Sequence, residues 1–138
     1  MQESEKTEDG LYRMTGFTGA IRYMAPEVGL KQPYDTKADV YSWSMILWYS
    51  MALEPPMGMY TPNMFIDRVF KKGYRPVLRD KWAEGLKNLL TKCWSPDIKE
   101  RPDFEEVMAA IQVEIDLVDP QVASFLGDSS HGFRVPLP

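Results

Sequence analysis

Cysteine is almost absent from this 138-residue sequence, with Cys93 the only one. A single thiol excludes an internal disulfide framework and a zinc site built from several cysteines. Histidine is equally scarce, His131 being alone, so no histidine cluster offers metal-ligand spacing. Basic blocks are missing as well. The formal net charge is −4, and nothing resembles the basic stripe of a nucleic-acid groove or a polybasic membrane patch. The longest apolar run, Ala38 to Leu53, has 16 residues and includes Ser42, Ser44 and Ser50, short of the ~20 residues a membrane-spanning helix needs. The opening MQESEKTEDG is acidic and lacks the apolar stretch of a secretory signal. These absences predict a cytoplasmic or nuclear protein that binds neither nucleic acid nor membrane.

What is present is enough apolar material for a core. The sequence is 44% hydrophobic and has four tryptophans, which argues for a globular chain of one domain. No segment alternates in the manner of a strand, so the expected class is all-α. Residues 1–19 are polar and punctuated by glycine and read as loop; residues 20–118 read as helical; residues 119–138 lose periodicity and read as a flexible tail. A first helix is expected from Thr36 to Leu53, with Thr36 as cap and Asp39 three residues on. Its apolar residues point in almost every direction, which predicts burial all round, and Pro55-Pro56 follow its end. A second is expected from Thr61, with Pro62 in the first turn, to Gly73. A third runs from Lys81 to Trp94, where Trp82, Leu86, Leu89, Leu90, Cys93 and Trp94 make an amphipathic stripe. A fourth opens at Asp103 with Glu106 three later, and Phe104, Val107, Met108, Ile111 and Ile115 recur at helical spacing.

Few residues suggest chemistry on their own. His131 lies near serines and Asp128, but a hydrolytic triad has to be held rigidly, and a flexible tail does not do that. Cys93 sits on the apolar stripe of its helix and reads as a buried structural thiol. Lys71-Lys72 reads as a solvated helix end favoured by the dipole. The stretch from Met57 through Met59 to Phe65 could offer an adaptable contact face, although ordinary core packing explains it better.

Four phrases in fixed order carry more: GAIRYMAPEV (19–28), DTKADVYSWSMILW (35–48), PPMGMYTPNMF (55–65) and CWSPDIKERPDFEEV (93–107). Together they resemble the C-terminal lobe of a eukaryotic protein kinase, from the end of the activation segment to the last helix. The wording of RYMAPEV and KERPDF is similar to the tyrosine-kinase-like group of serine/threonine kinases. The resemblance implies an all-α kinase C-lobe fragment, with residues 1–19 as the activation-segment end and Met1 falling partway along that segment, as in an incomplete kinase domain.

The resemblance also implies roles. Glu27 of Ala25-Pro26-Glu27 matches a glutamate that pairs with a buried arginine, and Arg101 stands at that arginine's place. Asp39 matches the aspartate that anchors the catalytic loop; capping of its own helix explains it equally well. Gly19, Ala20, Ile21, Arg22 and Tyr23 match the loop that receives the protein substrate. Thr7, Tyr12, Thr15 and Thr18 fall where activation-segment phosphosites lie. Ala20 departs from the pattern, which has Ser or Thr there in contact with the catalytic aspartate. Ser44 replaces a glycine with another small residue.

Phosphoryl transfer in this family uses ATP and magnesium, held by a glycine loop, a lysine, H-R-D-x-x-x-x-N and D-F-G. None of these motifs occurs in the sequence. The resemblance therefore implies no catalytic, cofactor-binding or metal residue in this chain, ATP and Mg belonging to a full-length parent. The implied partners are a protein substrate or the missing half of the kinase. The alternative is a non-catalytic helical interaction module derived from a kinase lobe. Either way the long apolar helix should present a face that nothing in the chain covers. The purified protein is expected to take up an apolar dye; sharp near-ultraviolet circular dichroism bands with no dye uptake would contradict this.

Overall fold

The computed structural model describes residues 20–118. Gly19, the candidate phosphosites Thr7, Tyr12, Thr15 and Thr18, and the tail with His131 lie outside the described residues. Among the described residues there are helices and no strand, so the fold is all-α. In chain order they are α1 (Pro26–Gly29), α2 (Lys37–Ala52), α3 (Pro62–Met64, continued as a π-helix over Phe65–Lys71), α4 (Glu84–Cys93) and α5 (Phe104–Val118). A single 3₁₀ turn, Ile98–Glu100, separates α4 from α5.

Helix ends follow local chemistry, with some departures from the sequence reading. Thr36 is itself helical in conformation and its hydroxyl caps nothing. The carboxylate of Asp35 accepts from the Lys37 N–H at 2.8 Å instead, which a residue one position earlier can do from a turn. Helix α2 closes at Leu53, whose left-handed backbone (φ 57°) lets its N–H reach the Tyr49 carbonyl at 2.8 Å. Thr61 Oγ1 accepts from Met64 N–H at 3.3 Å, and Pro62 occupies the first turn. Asp103 Oδ1 accepts from Glu106 N–H at 2.8 Å and starts α5.

The π-helical turn is the feature that periodicity did not indicate. Widening the spiral to i→i+5 bonds, such as Lys72 N–H to the Asp67 carbonyl at 3.2 Å, turns Phe65, Val69 and Phe70 inward together. They pack with Ile21 in one apolar cluster. Helix α4 starts at Glu84, not Lys81, which leaves Trp82 in the preceding turn. Tertiary packing still places Trp82 on the stripe's side: its ring meets Trp48 edge to face at 6.1 Å.

Helix α2 sits at the centre. One side joins Ala38, Tyr41, Met45 and Trp48 to Ala25 and to Leu90 and Trp94 of the α4 end. Another joins Val40 to Leu89, Cys93 and Val107. The expectation of burial all round fails on the remaining side. Asp39, Ile46, Tyr49, Ser50 and Leu53 form an exposed row, with Ile46 at 53% and Leu53 at 86%, because no described element packs there. The α5 stripe also divides: Val107 is buried, whereas Phe104 and Met108 face outward.

Helix α1 meets the π-helical turn through Gly29. A Cβ built there would lie 2.2 Å from Cε2 of Phe70, a buried ring that cannot move aside. Gly29→Ala would gain about 1 kcal/mol of helix propensity but force about 1–3 kcal/mol of overpacking. Urea denaturation is expected to show net destabilisation; unchanged or raised stability would contradict this packing.

Candidate functional site

The candidate site is built around the turn at residues 20–27. Tyr23 N–H bonds the Ala20 carbonyl at 3.1 Å, and Met24 N–H bonds that of Ile21 at 3.2 Å. Ile21 and Ala25 are both buried, in different apolar clusters, so the segment is nailed down on either side of Arg22 and Tyr23. Ala20 faces solvent. Arg22 donates from Nη1 to the carbonyls of Pro56 (2.7 Å) and Met57 (3.0 Å), and its guanidinium lies 5.5 Å from the Phe65 ring centroid. Met57 has a left-handed backbone, φ 50°, a strained state for a non-glycine residue. The Arg22 contact stabilises the turn that contains it.

Pro26 then opens α1 and carries Glu27 inward. Glu27 is 5% exposed and Arg101 2%. Arg101 Nη1 donates to Glu27 Oε1 at 2.6 Å and Nη2 to Oε2 at 3.0 Å, the fork-to-fork geometry a guanidinium makes with a carboxylate. Two further bonds engage backbone carbonyls. Nε bonds the Ser95 carbonyl at 2.9 Å, and Nη1 also reaches the Lys37 carbonyl at 3.3 Å. Lys37 Nζ returns a hydrogen bond to the Arg101 carbonyl. A buried ion pair costs desolvation unless such bonds satisfy it; here they do. Sequence separation gives no hint of this, since 74 residues part the pair.

Sequence reasoning missed Arg75. It follows Gly73, whose φ of 76° ends the π-helical turn, in a non-helical run with no periodicity to flag it. Its Nε donates to the Trp94 carbonyl at 2.9 Å and its Nη1 to those of Tyr74 (3.0 Å) and Val69 (3.3 Å). Both Arg75 and Arg101 lie over the Tyr41 ring, at 5.1 and 5.2 Å from its centroid. Burial pushes the Tyr41 phenol up to about 12, against the pull of Arg75 and Arg101. Burial also lowers the pKa of Arg75.

Asp39 is exposed in the first turn of α2, and its carboxylate has no hydrogen-bond partner among the described residues. Cys93 is fully buried, and burial pushes its thiol up to about 12, which suits a packing group and not a nucleophile. The methionine stretch divides between core and surface: Phe65 is buried and Met57 packs beside it, while Met59 is almost fully exposed. Lys71 and Lys72 are exposed, the latter paired with Asp67 at 2.9 Å. Among the described residues no group of three or more His, Cys, Asp or Glu could hold a metal. No described helix is long and apolar enough to cross a membrane.

With this geometry in place, comparison with known proteins is decisive. The family model for protein tyrosine and serine/threonine kinase matches residues 1–111. The chain belongs to that kinase family. Its described helices are the all-α C-terminal lobe of such a domain. It is 40% identical over 103 residues to serine/threonine-protein kinase VIK of Arabidopsis thaliana, covering 74% of this chain and 23% of that protein. It is 41% identical over 103 residues to serine/threonine-protein kinase STY17 of the same organism, covering 75% and 18%. To dual specificity protein kinase shkB of Dictyostelium discoideum it is 34% identical over 113 residues, covering 80% and 17%. The chain thus spans about a fifth of the length of these curated relatives.

The stacked Tyr41 gives this kinase-lobe segment an alkaline weakness. The phenol ionises near 10 when unfolded and at about 12 when folded. Its share of stability is therefore complete below pH 10 and is lost as pH rises from 10 towards 12. Cys93, raised from 9.0 to about 12, adds to the same fall from about pH 9 upward. Denaturation between pH 8 and 11.5 is expected to lose about 2 kcal/mol from Tyr41, and Tyr41→Phe should remove that part. An identical pH slope in Tyr41→Phe would contradict the assignment.

Proposed function

We propose that this chain is the substrate-receiving and structural part of a serine/threonine protein kinase catalytic domain. The observation that carries this reading is the buried Glu27–Arg101 pair, which fastens the 20–27 turn to the helical core. A turn held so firmly presents Ala20, Ile21, Arg22 and Tyr23 as a preformed seat for the segment of a protein substrate around its hydroxyl, with Gly19 preceding them in the sequence. Preformation lowers the ordering cost of binding that segment and supplies the positioning on which phosphoryl transfer depends.

In this family ATP supplies the phosphoryl group and magnesium neutralises its charge. The described residues do not fit either: they include no metal-holding cluster, and the sequence has no glycine loop, H-R-D or D-F-G. The role assigned to this chain's residues is to receive and orient the protein substrate. Asp39, exposed at the start of α2, anchors the catalytic loop of the kinase. The row Ile46, Tyr49 and Leu53 along the same helix face receives the rest of the lobe, the other half of the kinase being the chain's partner. Thr7, Tyr12, Thr15 and Thr18 serve as phosphosites of the activation segment, and the protein works in the cytoplasm.

Joined to a kinase portion that carries the glycine loop, lysine, H-R-D and D-F-G elements, the chain is expected to support ATP-dependent labelling of serine or threonine in a generic protein substrate. Ala20→Thr, which restores a hydroxyl facing the catalytic aspartate, should raise that labelling several-fold. Labelling by the 138-residue chain alone would contradict the division of roles. Absence of labelling in the joined protein would favour a helical interaction module, for which the exposed Met59 is the contact to test.

A further inference from the structure

The half-buried Arg75 keeps one nitrogen without a described partner. Arg75 places Nε and Nη1 on three backbone carbonyls, but Nη2 makes no hydrogen bond among the described residues. Arg75 is one of the residues lining a cleft of about 390 Å³ between α1, the end of the π-helical turn and the 96–98 turn. A second cleft of about 340 Å³ adjoins it and shares Gly73, Arg75 and Pro96.

The charges around the first cleft do not balance. Lys71, Lys72 and Arg75 line it together with a single carboxylate, Glu27. Both oxygens of Glu27 are already held by Arg101. Lys72 has Asp67 at its exposed rim; Lys71 and Arg75 form no salt bridge with a carboxylate among the described residues. A cationic cleft on a chain of net charge −4 is a local feature of this surface and not a reflection of composition. Its walls also matter. Leu30, Phe70 and Ile98 supply an apolar side, which a bare inorganic ion would leave unused.

We infer that this cleft binds a phosphate monoester attached to an apolar or aromatic group, the chemistry of a phosphorylated side chain on a partner protein. A dianion with three acceptor oxygens matches the guanidinium of Arg75 and the ammonium groups of Lys71 and Lys72 that line the cleft, Lys72 exchanging Asp67 for it. A monoanionic carboxylate offers less charge to the same three donors. The group carrying the ester lies along Leu30 and Ile98. The site stands apart from the 20–23 turn and does not depend on the chain acting in a kinase.

The test is a heteronuclear NMR titration of the full chain with phenyl phosphate, with inorganic phosphate and benzoate as comparison probes. Saturable shifts are expected at the amides of Lys71 and Gly73 and at the Arg75 Nε–H. Binding should be about fivefold or more tighter for phenyl phosphate than for either comparison probe, and should weaken by about fivefold or more in the Lys71→Ala, Lys72→Ala double variant. Both lysines are exposed, so this variant keeps the fold, whereas substituting Arg75 would also disturb Tyr41. The inference is overturned by any of three results: no saturable shift up to about 20 mM, equal affinity for inorganic phosphate or benzoate, or undiminished binding in the double variant.

Discussion

The rest of the structure depends on one desolvated carboxylate, Glu27, and the guanidinium that holds it. Arg101 reaches Glu27 in α1, the Ser95 carbonyl after α4 and the Lys37 carbonyl at the start of α2. Three segments distant in sequence therefore share one side chain. The arrangement is all or nothing, since a buried charge stripped of its partner costs far more than a surface pair contributes. Lysine could not replace Arg101, because a point ammonium lacks the planar fork that meets two carboxylate oxygens and a carbonyl together. Tyr41 completes the unit as an apolar floor beneath Arg101 and Arg75.

That unit explains why a short turn with little secondary structure of its own can be well defined. Among the described residues the 20–27 segment has two local backbone bonds outside helices before α1. Its definition comes from burial of Ile21 and Ala25, from Arg22 on the Pro56 and Met57 carbonyls, and from Glu27 below. A loop fixed in this way by a rigid scaffold is where binding residues are commonly carried. The uncovered row on α2 has the opposite character. Ile46, Tyr49 and Leu53 are apolar, aligned and exposed, so they mark a surface that a further element would stabilise by covering.

Much of this was legible from residue order. The helices around α2, α4 and α5, their Pro and Asp punctuation, and the family carried by RYMAPEV and KERPDF could all be read, because each is a local signal. Other features were not. The cap of α2 moved from Thr36 to Asp35 because either residue can supply an oxygen, and only backbone geometry chooses between them. Trp82 left its helix yet kept its packing, since tertiary contact with Trp48 outweighed helical spacing. The π-helical turn arose to bury Val69 and Phe70 side by side, which a 3.6-residue pattern does not encode. Arg75 was invisible because its partners are carbonyls, and carbonyls leave no trace in side-chain identity.

The most direct measurement of the central claim is a double-mutant cycle between Glu27→Gln and Arg101→Met, read by urea denaturation. If the pair is the buried junction of three segments, each single substitution costs about 3–5 kcal/mol, and the coupling energy exceeds about 2 kcal/mol because the double variant leaves no stranded charge. Single effects and a coupling both below about 1 kcal/mol, the scale of an exposed ion pair, would contradict the account.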